Sequence, residues 1–210
     1  MKWLLIPILM TCVLSAEEEI RKPAKVSSVA ETDLADFEKQ PEPVMKLIRA
    51  AIALTKLELT YTFASSEPKK GGMDCSGTIY YLLTKQGIQD TPRQSDEMGE
   101  WVRDKATLHR IEKADALTHA EFAMLKPGDL IFWTGTYDSS PRKLPITHVM
   151  MYLGKHQKTG QGVIFGASDG RSYSGQKRTG VSVFDFKMPK AEGKAKIYGY
   201  GSIPGLLPKK

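Results

Sequence analysis

The chain has 210 residues, 41% of them hydrophobic and 26% charged; this is ordinary globular composition and excludes wholesale disorder or a multi-span membrane protein. Its formal net charge of +6 is unevenly spread, with eight acids against four bases in residues 17–43 and six bases against one acid in residues 187–210. A basic body attracts anionic partners at long range, but no arginine-rich motif or aromatic-basic interleaving points to nucleic acid, so none is expected as a partner.

Residues 1–16, MKWLLIPILMTCVLSA, have the layout of a secretory signal peptide: Lys2, an apolar run, then the small residues Ser15 and Ala16. The run is shorter than the roughly 20 residues a spanning helix needs. Export to the periplasm or cell wall is therefore expected, with no stable membrane insertion after cleavage. Removal of this segment takes Lys2 and Cys12 away, leaving a net charge of +5 and Cys75 as the one cysteine. An unpaired thiol in an oxidising compartment needs an explanation.

Residues 17–43 hold Pro23, Pro41 and Pro43 among charged and small residues, and read as a flexible acidic arm. From Val44 the apolar positions Leu47, Ile48, Ala51, Ile52 and Leu54 recur at helical spacing, which predicts a helix over 44–57. TYTFASSEPKKGG then has turn chemistry. A second helix is expected over 74–86, capped by Asp74 and ended by Gly87, with Cys75 in its first turn. A third is expected over 95–105. The stretch up to Ala123 shows no clear period.

Beyond it come five short runs, GDLIFW, HVMMYLG, GVIFGAS, GVSVFDF and KIYGYGS, rich in branched and aromatic residues and separated by turn residues. Helices followed by about five strands predict an α+β domain over 44–203, its helices packed on an antiparallel sheet, with a basic tail over 204–210.

A thiol in the first turn of a helix meets unpaired backbone N–H groups and the positive end of the helix dipole, both of which favour the reactive thiolate. Of the four histidines, His109, His119 and His156 read as solvated surface, whereas His148 opens a strand, sharing one face with Met150 and Tyr152. A strand-borne imidazole is either a satisfied structural histidine or a rigidly held base. No Cys, His and acid cluster has zinc spacing, so neither metal nor cofactor is expected.

Four blocks in order carry a resemblance: GGMDCSGTIYYLLTKQGI, TPRQS, LKPGDLIFW and ITHVMMYLG, with KIYGYGSI as a closing strand. Together they resemble the NlpC family of cell-wall cysteine peptidases over about residues 44–203. The resemblance implies a papain-like α+β core and hydrolysis of peptidoglycan stem peptides, typically between γ-D-glutamyl and a diamino acid, by a monomer. It implies Cys75 as nucleophile and His148 as general base that also protonates the leaving amine. It further implies Tyr61 as a site-lining group that helps stabilise the oxyanion, Asp74 and Ser76 as contacts for the substrate's free amine, and Arg93 of the PR turn as a further substrate-binding residue. One position departs from the family. The polar residue that usually orients the imidazole aligns with Gly166; Asp169 is the preferred substitute and Ser168 the alternative, since a carboxylate would also stabilise an imidazolium. Two other readings stay open: a Cys-His amidase for another amide, and a wall-binding module without turnover.

Overall fold

The computed structural model describes residues 22–207. The leader read over 1–16, residues 17–21 of the arm and the last three residues of the basic tail lie outside the described residues.

Three helices form where the apolar period places them: α1 (Glu42–Thr55), α2 (Cys75–Lys85) and α3 (Ser95–Lys105). α1 starts two residues earlier than predicted, because Pro43 is tolerated in a first helical turn, where its missing N–H is not needed. Between α1 and α2 lie two short strands, β1 (Thr60–Tyr61) and β2 (Gly72–Met73), paired in parallel so that Tyr61 stands opposite Met73. After α3 come β3 (Leu108–Arg110), β4 (Leu130–Thr134), β5 (His148–Lys155), β6 (Gly162–Tyr173), β7 (Gln176–Asp185) and β8 (Lys196–Gly201). These six form one antiparallel sheet in the order β3-β8-β4-β5-β6-β7.

The sheet is buried on both faces. Leu47, Ile48, Leu83, Met98 and Val102 of the helices meet Val149, Met151, Leu153, Phe165 and Val183 on one side. On the other, Ile131, Trp133, Met150, Tyr152, Ile164, Phe184 and Tyr200 pack beneath Ile111 and Phe122 of the 111–125 segment. Glu121 pins that segment by accepting hydrogen bonds from the backbone N–H groups of Glu112, Lys113 and Ala114. The alternation along HVMMYL is therefore a partition between two cores, and polarity alone does not reveal it.

Two expectations are corrected. The sheet has six strands, because β3 is too short to show a period and contributes His109, which stacks on Tyr200 at 5.1 Å between ring centroids. In addition, β6 and β7 run on through the polar stretch around Ser174 and Gly175, whose positive φ angles of 49° and 76° make a tight two-residue hairpin turn. The flexible arm is the second correction. From Lys22 onward it is docked: Lys25 bridges Thr179, Leu34 bridges His156, and Val29, Leu34 and Phe37 are buried in the helix-side core. Three separated apolar residues in a polar stretch escape a composition test yet suffice to anchor it.

Candidate active site

Cys75 is set in place by the turn before it. Gly71, at φ 79°, takes a left-handed conformation, and Gly72 lies so close to β1 that a Cβ there would overlap the Thr60 carbonyl. The backbone N–H of Asp74 donates to the Ser65 carbonyl at 2.9 Å, and the Asp74 carboxylate accepts from the Gly77 N–H at 2.5 Å, capping α2 as expected. The Cys75 thiol is 6% exposed and lies against the backbone N–H groups of Ser76 and Val149, next in sequence to His148.

Asp74, Ser76 and Arg93 form one group. Arg93 Nη2 donates to Asp74 Oδ2 at 2.8 Å, and its Nη1 donates to Asp74 Oδ1 at 3.2 Å and Ser76 Oγ at 3.0 Å. The Asp74 carboxylate is thus already paired, and an amine arriving there would share it with a guanidinium. Arg93, expected among the substrate contacts, holds Asp74 and Ser76.

His148 opens β5 opposite Trp133 of β4, with the two rings edge to face at 5.6 Å between centroids. Its Nε2 is buried without a hydrogen-bond partner, as is Trp133 Nε1. Neither expected substitute for the third residue holds it. Asp169 is half exposed and ion-paired to Lys22 Nζ at 2.9 Å, while Ser168 lines the same cavity as His148 without bonding Nε2. The aligned position, Gly166, is covered by Met150: a Cβ there would sit 3.0 Å from Met150 Cγ. Among the described residues the ring packs against Trp133, and none hydrogen-bonds its Nε2.

Electrostatics correct the expectation of a preformed thiolate. Burial, with Asp74 adding to it, pushes the Cys75 thiol up to about 11, and the Ser76 and Val149 N–H groups and Arg93 only partly offset this. Burial, then the charge of Arg171, holds His148 well below its ordinary value. Both shifts favour the uncharged forms of the two side chains. Tyr61 is raised by burial and then by Cys75, so it keeps its proton as a donor.

Two cavities with a shared wall hold these two side chains, one in each. One of about 340 Å³ holds Cys75, Asp74, Ser76 and Arg93; one of about 350 Å³ holds His148, Ser168, Asp169 and Arg171. Tyr61, Phe63 and Tyr137 line both. Phe63 and Tyr137 touch edge to face at 6.3 Å, and Arg142 ties the Tyr137 loop to α3 through Asp96 at 2.8 Å. Arg171, Phe63 and Tyr137 were not legible in the sequence, because lone residues in polar stretches carry no spacing signal.

A cysteine that opens a helix and a histidine that opens a strand packed against it, in an α+β fold, are the layout of a papain-like domain. The chain belongs to the NlpC/P60 family, whose model matches residues 58–181. NlpC/P60 is a family of peptidoglycan-associated, papain-like hydrolases, generally cysteine peptidases and amidases. Among solved structures, the chain is similar to a Staphylococcus aureus protein described as similar to a lipoprotein of the NLP/P60 family, with 21% identity and a TM-score of 0.45. That alignment covers 78% of this chain and 42% of the other, so this chain spans less than half of that protein's length. No curated protein matches the chain. Among the described residues no helix is long and apolar enough to cross a membrane, and no group of His, Cys, Asp and Glu could hold a metal ion.

Proposed function

We propose that the protein is an exported, monomeric cysteine endopeptidase that hydrolyses peptidoglycan stem peptides at the amide between γ-D-glutamyl and a diamino acid. The observation that carries this reading is the Cys75 thiol seated against the Val149 N–H, one residue from His148, where two cavities meet. In the first step His148 takes the thiol proton as Sγ attacks the scissile carbonyl. The backbone N–H groups at the start of α2 and the Tyr61 hydroxyl stabilise the oxyanion. The C–N bond then breaks, His148 hands its proton to the leaving amine, and a thioester remains on Cys75. Water, deprotonated by His148, attacks the thioester; the C–S bond breaks and the proton returns to sulfur. Asp74 and Ser76, held by Arg93, face the acyl half of the substrate.

The test is incubation of the purified chain with sacculi or defined stem peptides, with products read by mass spectrometry. Wild type should release fragments, and Cys75→Ala should release none while keeping its melting temperature. Unchanged release by Cys75→Ala would reject the assignment. A second reading, a wall-binding module without turnover, is favoured by one observation, the His148 Nε2 left unpartnered while a glycine, Gly166, stands at the aligned third position. Sacculus binding without product release by wild type would select it.

A further inference from the structure

Arg171 stands in the His148 cavity with no ion-pair partner among the described residues. β6 shifts register between Ser168 and Arg171, and that irregularity turns the side chain onto Trp133, its Cζ 4.5 Å above the indole ring. Among the described residues no carboxylate lies within ion-pairing distance of it: Asp169 is taken by Lys22 and Asp185 by Lys187. Burial lowers Arg171 to about 10, which still leaves it cationic at neutral pH. A largely buried guanidinium without a partner is costly, and here it faces open space on two sides. One side is the His148 cavity; the other is a cavity of about 760 Å³, which shares Thr136 and Arg171 with the first and is bordered by Lys177, Lys187, Lys190 and Lys194.

The chemistry decides which half of a substrate lies there. In acyl transfer to Cys75 the acyl carbon sits at sulfur, whereas the leaving nitrogen must sit at the imidazole that protonates it. The amine half of the amide therefore enters the His148 cavity and continues toward the lysines. We propose that Arg171 anchors a free carboxylate on the leaving amino acid, so that the enzyme selects amides whose amine half carries an anionic group. This rests on the amide-hydrolase reading above and adds to it a specificity residue from β6. Pairing Arg171 with a carboxylate also offsets the positive charge that disfavours protonation of His148, so binding of the correct leaving group strengthens the base.

The test uses the full chain and two synthetic substrates that share an L-alanyl-γ-D-glutamyl acyl half. Their leaving diamino acid has either free or fully amidated carboxyl groups. Wild type should prefer the free carboxylate by roughly 10- to 100-fold in kcat/KM, as expected for one charge-assisted hydrogen bond. Arg171→Met should bring the ratio close to one, and Arg171→Lys should restore part of it. The free diamino acid should inhibit wild type more strongly than its amide does, a measurement that needs no folded variant. Equal kcat/KM for both substrates in wild type, or a full preference kept by Arg171→Met, overturns the inference and leaves the hydrolase reading standing. Hydrolysis of neither substrate by wild type overturns the hydrolase reading, and this inference falls with it.

Discussion

At Cys75 two effects compete, and their sizes decide the outcome. The helix start is worth about 0.3–1 kcal/mol to an anion, well under one pKa unit. Burial alone moves a group by up to about 3–5 units, so burial wins and the thiol rises to about 11. Alkylation by iodoacetamide should therefore climb about tenfold per pH unit between about pH 6 and pH 9, because the thiolate fraction does. A rate already flat across that range would instead report a preformed thiolate-imidazolium pair. The places of Cys75 and His148 in the fold were legible because each opens a regular element, where chain direction and cap chemistry fix the side chain. Their protonation was not, since it depends on Asp74, Arg93 and Arg171, which the fold gathers from separate segments. The Asp169 expectation failed for a similar reason: adjacency along β6 says nothing about Lys22, which lies 147 residues away in sequence and takes the carboxylate.

Among the elements, the start of α2 carries the most chemistry per residue. Asp74 caps the helix, holds Arg93 and lines the same cavity as Cys75. Asp74→Ala should lower stability by about 0.5–2 kcal/mol through the lost cap, and it also leaves Arg93 without its carboxylate. Thermal melting checks the first effect. Asp74→Asn, which can still accept from the Gly77 N–H, should recover part of the loss. The docked arm makes a separate prediction. Phe37 is 4% exposed and lies beneath the Arg49 guanidinium at 5.1 Å, so Phe37→Ala should lower the melting temperature by several degrees and open the 22–40 segment to proteolysis. An arm held loosely would show neither change. The helices were legible to within two residues because their period spans several turns and proline or glycine marks their ends. The arm was not, because tertiary burial of Val29, Leu34 and Phe37 overrides a composition that is polar on average.

Across the whole molecule, the antiparallel sheet separates two cores and brings β4, β5 and β6 together at one end, where Trp133, His148 and Arg171 meet. The helix side contributes Cys75 at the same end, and the Tyr137 loop, tied down by Arg142, runs over the junction of the two cavities. Sequence order and the block spacing gave the α+β class. The sixth strand, the second core beneath residues 111–125 and the basic cavity beyond Arg171 depend on pairings that no local period encodes. The most direct test of the molecule as a catalyst is to quench it in acid during turnover of a stem peptide and weigh it intact, then locate any added mass by digestion. A transient gain equal to the acyl half of the substrate, found on the Cys75 peptide and absent from Cys75→Ala, is the expected result. Turnover with no such adduct on Cys75, or with an adduct on another residue, would contradict the account.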